Sequence, residues 1–107
     1  MDYEITPEDL KSLLETNSDI VVLDCREPWE YETAKIAGSR HIPMNEIPAR
    51  YAQELDAGKH TVVVCHHGVR SMRVTMWLRE QGYDKVQSLA GGIDRWARAV
   101  DPTVGVY

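Results

Sequence analysis

The sequence predicts an α/β domain with a mainly parallel β-sheet and helices on both faces. Two short segments, Ile20–Leu23 and Thr61–Val64, are rich in β-branched residues, as expected of parallel strands that are covered on both faces. Segments with helical periodicity alternate with these strands, which is typical of βαβ units. The chain of 107 residues has the length of one domain, so we expect a single domain over residues 1–107.

The first predicted helix begins after Thr6. This residue can cap the helix, Pro7 suits its first turn, and the acidic residues that follow favour its positive end. After the strand at Ile20–Leu23 the pattern is less regular. It predicts a short helix over Trp29–Thr33, a turn near Gly38, a short strand around Arg40–Ile42 and a helix over Glu46–Leu55.

The second half of the chain is organised around the strand at Thr61–Val64. This strand runs into a short loop, and a helix is predicted from Ser71 to Gln81, with Gly82 as a left-handed C-cap residue. The remaining elements are a strand over Lys85–Leu89, a turn at Gly91 and Gly92, and a helix over Ile93–Ala99. The segment Asp101–Tyr107 shows no clear period.

Composition excludes several classes of protein. The hydrophobic fraction of 43% and the charged fraction of 27% are those of a globular chain rather than a disordered one. The longest apolar runs have four residues, too short to span a bilayer, and the net charge of −5 weighs against nucleic-acid binding. Two cysteines without an export signal predict a reducing, cytoplasmic location. We therefore expect neither a nucleic acid nor a membrane as a partner.

The strongest candidate site follows the strand at Thr61–Val64. Ligands of open α/β sheets gather at the carboxyl ends of the strands, where Asp24–Glu27 and Cys65–Ser71 both lie. In the second segment a cysteine leaves the strand, a tight loop containing Gly68 follows, and a helix begins near Ser71. Such a loop can point its backbone N–H groups at the sulfur. Arg70 adds a fixed positive charge there, and Ser71 is expected to be the N-cap residue.

These donors predict a reactive thiol at Cys65. A free cysteine is only a few per cent ionised at neutral pH, and N–H donors with a nearby cation would lower its pKa and favour the thiolate. The same donors would stabilise the terminal sulfur of a persulfide, Cys–S–S⁻. We therefore expect Cys65 to be a sulfur nucleophile.

Four motifs, in order along the chain, resemble those of the rhodanese family. They are Asp24–Tyr31, similar to D-x-R-E-x-x-E-[YF]; Gly38–Pro43, similar to G-x-x-x-I-P; Cys65–Ser71, similar to the active-site loop C-x-x-G-x-R-S; and Leu89–Trp96, similar to L-x-G-G-x-x-x-W. The resemblance covers nearly the whole chain. It implies a three-layer fold with a five-stranded, mainly parallel sheet.

The resemblance also implies a sulfurtransferase activity without a metal or organic cofactor. Cys65 would take sulfane sulfur from a small donor such as thiosulfate or a persulfide and hold it as a persulfide. It would then deliver the sulfur to a thiophilic acceptor, which is cyanide in an assay and a thiol or a protein in the cell. The implied site consists of Cys65 as the catalytic residue and of His66, His67, Gly68, Val69, Arg70 and Ser71 as substrate-binding residues.

Two histidines depart from the family pattern at the mouth of the loop. The family often has Arg or Lys after the cysteine, whereas this chain has His66 and then His67. Imidazole titrates near neutral pH, so the charge here depends on pH, and we expect weaker use of the thiosulfate dianion. Because the two histidines are adjacent, we expect their side chains to point apart, with one serving the pocket.

Several charged and thiol groups also have structural interpretations. Arg70 is expected to have a dual role, packing the loop as an ion-pair partner of Asp24 or Glu27 and contributing positive charge at the sulfur. The charged residues of the first motif are expected to form a structural network at the edge of the sheet rather than an acid–base pair. Cys25 could be a resolving thiol for Cys65 or a core residue.

Three other functions compete with sulfur transfer. Zinc could bind to Cys65, His66 and His67 with His41 or His60, although the sequence lacks a second cluster of ligands. A phosphatase or arsenate reductase would also use a cysteine loop, but such loops have five residues between Cys and Arg, whereas four separate Cys65 from Arg70 here. A persulfide carrier or redox-sensing module with little turnover is the third alternative.

Overall fold

Five parallel strands and five α-helices alternate along residues 1–107 in the computed structural model. The strands are β1 (Glu4–Ile5), β2 (Val21–Asp24), β3 (Arg40–His41), β4 (Thr61–Val64) and β5 (Val86–Leu89). The helices are α1 (Pro7–Thr16), α2 (Pro28–Thr33), α3 (Ile47–Glu54), α4 (Val69–Glu80) and α5 (Gly92–Ala99). Short 3-10 turns cover Met44–Glu46 and Pro102–Val104. No helix combines the length and the apolar character needed to cross a bilayer.

The strands form one sheet in the order β1-β5-β4-β2-β3, and every neighbouring pair is parallel. This confirms the predicted α/β fold with five strands. Because β2 and β4 are adjacent and Asp24 pairs with Val64, the segments that follow these two strands leave the sheet side by side. The two candidate segments of the sequence therefore lie at the same edge.

Alternate residues of the strands supply two separate hydrophobic cores. On one face, Val62 and Val64 pack with residues of α1 and α5. On the other face, Val63 packs with residues of α3 and α4. Both faces of β4 are thus buried, which explains its continuous run of β-branched residues and confirms helices on both sides of the sheet.

The element boundaries differ from the predicted ones where short segments depend on tertiary contacts. Strand β1 was not predicted, because its two residues carry no pattern of their own and pair with Ser88 and Leu89 of β5. Helix α4 begins at Val69 rather than Ser71 because Gly68, in the left-handed conformation, precedes it. Ser71 is therefore not the N-cap residue but lies in the first turn. The other helices and strands agree with the predicted ones within two residues.

A buried ion pair ties β2 to the chain that follows it. Arg26 is 0% exposed, and its guanidinium donates to both carboxylate oxygens of Asp24 at 2.7–3.1 Å. It also donates to the backbone carbonyls of Glu30 and Ala34. This arrangement agrees with the predicted structural charge network at the edge of the sheet.

Replacing the buried arginine should strongly destabilise the domain. In Arg26→Met the carboxylate of Asp24 stays buried without its partner, which typically costs about 3–5 kcal/mol. Urea denaturation measures this free energy of unfolding. Lys11→Met removes one partner of an exposed pair with Glu15 and should leave stability close to that of the wild type. Equal effects of the two substitutions would contradict the structural role of Arg26.

Candidate active site

The sulfur of Cys65 lies beneath the loop that joins β4 to α4. It accepts hydrogen bonds from the backbone N–H groups of Gly68 at 3.0 Å and Ser71 at 3.3 Å. The hydroxyl of Ser71 is also 3.3 Å from the sulfur and hydrogen-bonds to the hydroxyl of Ser88 at 2.7 Å. Cys65 is only 1% exposed. The predicted convergence of loop amides on this sulfur is therefore present in the structure.

The backbone of Gly68 makes this convergence possible. Its φ is +104°, in the left-handed region that side chains with a Cβ rarely adopt. Helix α4 starts at the next residue, and the N–H group of Ser71, which has no partner within the helix, points at the sulfur. These donors and the helix dipole favour a negative charge at this position.

The start of α5 supports the loop from the opposite side. The N–H groups of Ile93 and Asp94 donate to the carbonyl oxygens of Cys65 at 2.8 Å and His66 at 3.1 Å. Gly92 makes this approach possible, because a Cβ at its position would lie only 2.5 Å from the carbonyl oxygen of Cys65. The sequence motif contained Gly92, but nothing in its pattern showed that it packs against the loop.

The other end of the loop is held by an ion pair. The guanidinium of Arg70 donates to both carboxylate oxygens of Glu30 at 2.6 and 2.9 Å. The prediction that Arg70 would pair with Asp24 or Glu27 was wrong, because Asp24 is already occupied by Arg26. The Arg70 hydrogen bonds lower the pKa of Glu30 to about 2, so the pair stays charged throughout the physiological range.

The two histidines do not point apart. The rings of His66 and His67 are stacked, with centroids 4.0 Å apart and planes 20° from parallel, so that prediction was wrong. The opposite face of His66 is stacked on Tyr107, with centroids 4.1 Å apart. Burial, followed by the proximity of His67, lowers the pKa of His66. We therefore expect a neutral imidazole at pH 7.

The remaining loop residues differ in their exposure and in whether they hydrogen-bond to the sulfur. The side chain of His67 is exposed, and its Nε2 lies 3.9 Å from the carboxylate of Asp94. Val69 is 66% exposed, although it begins the helix whose amides face the sulfur. Of the six predicted substrate-binding residues, only Gly68 and Ser71 hydrogen-bond to Cys65.

Tyr107 belongs to this region, although its position in the sequence did not indicate a role. Its hydroxyl donates to Glu30 Oε2 at 2.7 Å and accepts from Arg26 at 2.8 Å. An aperiodic segment gives no signal for such contacts, because they depend on the path of the chain after α5. Tyr107 thereby contacts two of the three buried charged residues in this region.

Cys25 is a free thiol in the hydrophobic core between the sheet and α3 and α4. Burial, with a further contribution from Cys65, raises the pKa of its thiol. A protonated core thiol fits a structural role. The alternative role of Cys25 as a resolving thiol stays a prediction, and disulfide mapping after mild oxidation tests it.

The ligands of the alternative zinc site do not come together. His60 precedes β4, at the end of the strand opposite Cys65, and hydrogen-bonds to Gln87, whereas His41 bonds to the carbonyl of Arg26. A different trio, His66, His67 and Asp94, has ligand atoms within 4.8 Å of one another. Stacked imidazole rings direct their in-plane lone pairs along nearly parallel lines, however, which does not suit a shared ion.

Comparison with known proteins agrees with this arrangement. Residues 6–99 match the Rhodanese-like domain family. The chain is 36% identical over 101 residues to a sulfurtransferase of Allochromatium vinosum, covering 94% of each chain. It is 33% identical over 104 residues to the thiosulfate sulfurtransferase GlpE of Actinobacillus succinogenes, covering 97% of this chain and 92% of that one.

A solved structure shows the same fold. The rhodanese-related protein of Thermoplasma volcanium superposes with a TM-score of 0.83 at 30% identity, covering 92% of this chain and 94% of that one. The shared fold, the sequence similarity over nearly full lengths and the cysteine loop at the end of β4 lead to one conclusion. The chain belongs to the single-domain rhodanese-like sulfurtransferase family.

Proposed function

We propose that residues 1–107 act as one domain that transfers sulfane sulfur through a persulfide on Cys65. The observation that carries this proposal is the pair of backbone N–H groups, of Gly68 and Ser71, on the sulfur of Cys65. N–H donors to a sulfur favour its anionic form, which is the nucleophile. The named activity of the GlpE relative makes thiosulfate a suitable first donor to test. A reducing, cytoplasmic setting stays a prediction from cysteine usage.

The first step loads sulfur onto the enzyme. The thiolate of Cys65 attacks the outer sulfur of thiosulfate, the new S–S bond forms, and the original S–S bond breaks. Sulfite leaves with the electron pair, so the product is Cys–S–S⁻ and no proton or external electron is needed. The amides that stabilise the thiolate also suit the negative charge of the persulfide.

The second step returns the enzyme to its starting state. A nucleophilic acceptor attacks the terminal sulfur of the persulfide, and the S–S bond breaks with its electron pair on Cys65. Cyanide would leave as thiocyanate, and a thiolate would leave as a new persulfide. A small thiol or a protein thiol is the acceptor we propose in the cell.

The residues around the sulfur suggest how a donor is bound. We assign substrate contacts to His66, His67, Gly68, Val69, Arg70 and Ser71, which form the mouth and floor of the loop. Of these, Arg70 carries the permanent positive charge, but this charge is shared with Glu30. With His66 neutral, these six residues supply little uncompensated positive charge for a dianion. We therefore expect modest use of thiosulfate.

Replacing the nucleophile should abolish the activity. Cys65→Ser is expected to lose both the sulfur adduct seen by mass spectrometry after incubation with thiosulfate or polysulfide, and the formation of thiocyanate from cyanide. The matched control is Cys25→Ala, which removes the other cysteine from the core and should still form the adduct.

Other outcomes would change the assignment. Full activity of Cys65→Ser would disprove the mechanism. Stable sulfur loading on Cys65 without transfer to any acceptor would favour a carrier or sensor over an enzyme. Hydrolysis of an aryl phosphate that depends on Cys65 would favour the phosphatase alternative, although the loop has one residue fewer than that chemistry usually uses.

The support of the loop by α5 can be tested at a single glycine. In Gly92→Ala the new methyl group would collide with the backbone of Cys65 and displace the loop. We expect sulfur loading to slow by about tenfold or more, as for the loss of one strong hydrogen bond at a reacting atom. Gly82→Ala is the control, because Gly82 also has a positive φ of +93° but no atom within 4 Å of its Cβ position. If sulfur loading slowed equally in both variants, backbone strain alone would explain the effect.

The charge of His66 should make thiosulfate binding depend on pH. Because its pKa is lowered, the imidazole gains a proton only when the pH falls below its ordinary titration range. The added charge should then lower KM for thiosulfate by about threefold to fivefold, as expected for one unit charge near a dianion at a protein surface. His66→Gln should remove this change in KM. A decrease of the same size in His66→Gln would show that another group is responsible.

A further inference from the structure

Tyr107 links the two ends of the loop that holds Cys65, by direct contact at one end and through Glu30 at the other. At the start of the loop its ring is stacked on His66, with the two planes 11° from parallel. At the end of the loop its hydroxyl binds Glu30, which in turn holds Arg70.

The ring of Tyr107 is itself held in place. The indole of Trp29 meets it edge-on, with centroids 5.9 Å apart, and the guanidinium of Arg26 lies 5.5 Å from its centroid. Aromatic contacts of this kind favour one ring orientation. The ring of Tyr107 that stacks on His66 is therefore held in one orientation.

The hydroxyl of Tyr107 completes a chain of buried polar contacts. It accepts from Arg26, whose guanidinium is fixed by Asp24, and it donates to the carboxylate of Glu30. Burial raises the pKa of Tyr107 to about 12, so the hydroxyl keeps its proton and can donate at neutral pH. The carboxylate of Glu30 is thus held by Tyr107 as well as by Arg70.

From these contacts we propose that Tyr107 is a positioning residue for the Cys65 loop. It acts through His66 at one end and through Glu30 and Arg70 at the other, and so keeps the amides of Gly68 and Ser71 directed at the sulfur. The inference rests on the proposed function only in taking the sulfur of Cys65 as the reacting atom. The sulfur is bonded by Gly68 and Ser71 and not by Tyr107, so the effect of Tyr107 on the thiolate is indirect.

Tyr107→Phe tests the proposal with the smallest possible change. The ring and its stacking remain, but both hydrogen bonds of the hydroxyl are lost. We expect the thiolate absorbance at neutral pH, taken as the difference from the corresponding Cys65→Ser protein, to decrease. The rate constant for alkylation of Cys65 by iodoacetamide, followed by peptide mapping, should fall by about threefold to tenfold, as for one weakened hydrogen bond to a charged sulfur.

Two further variants separate positioning from a general loss of structure. Tyr83→Phe removes another partly buried hydroxyl, which bonds to the carbonyl of Leu55, and should leave the absorbance and the alkylation rate unchanged. Tyr107→Ala should lower both further. It should also uncover His66 and raise the pKa of its imidazole in an NMR titration, where His67, Asp94 and Glu30 are the neighbouring charged groups.

The possible outcomes are distinct. Unchanged thiolate absorbance in Tyr107→Phe, or faster alkylation, would overturn the proposal, because the residue would then be a passive cover or irrelevant. Both readouts are independent of sulfur transfer. Failure of the wild-type protein to load sulfur would therefore disprove the proposed function without deciding the role of Tyr107.

Discussion

The whole site depends on placing backbone N–H groups around one buried sulfur atom. A thiolate taken out of water needs donors in place of its hydration shell, and here two amides at the start of α4 supply them. The turn that directs them requires a left-handed residue at Gly68. It also requires a partner for the carbonyl groups on the outside of the turn, which the first amides of α5 provide. The β4–α4 and β5–α5 connections are therefore one structural unit.

Three ion pairs lie near this unit. Asp24 with Arg26, Glu30 with Arg70, and Asp94 with Arg98 place three carboxylates beside three guanidinium groups. These pairs fix the positions of their side chains but attract a distant anion only weakly, because each guanidinium is compensated by a carboxylate at short range. The loop amides are then the main source of stabilisation for a negative sulfur. These three ion pairs therefore add little net positive charge around the loop.

The buried pairs also link the fold to the site. Arg26 connects β2 to a carbonyl within α2 and to the carbonyl of Ala34 just after it, and Glu30 on α2 connects this region to α4 through Arg70. A substitution that weakens the Asp24–Arg26 pair should therefore also affect the Glu30–Arg70 pair. Removing one member of a buried pair costs more than the pair contributes, because the remaining charge stays desolvated. The stability of the sheet edge and the geometry of the loop consequently depend on the same few side chains.

Much of the fold could be predicted from local sequence patterns. The β-branched segment at Thr61–Val64, the capped start of α1 and the glycine after α4 are signals that neighbouring residues carry by themselves. The loop amides were also predictable, because a cysteine followed by Gly68 and a helix start leaves few other directions for the chain. Strand β1 was not predictable, because its two residues form a strand only by pairing with β5.

Within the site, the sequence alone determined the position of the cysteine after β4 and the turn that follows it, whereas the partners of the side chains were decided only by the tertiary structure. Arg70 pairs with Glu30 rather than Asp24 because Arg26 already occupies Asp24. The ring of His66 stacks on Tyr107 because the chain after α5 returns to the loop. These partners lie 40 and 41 positions apart in the chain, and contacts across such distances depend on how the elements pack rather than on any local pattern.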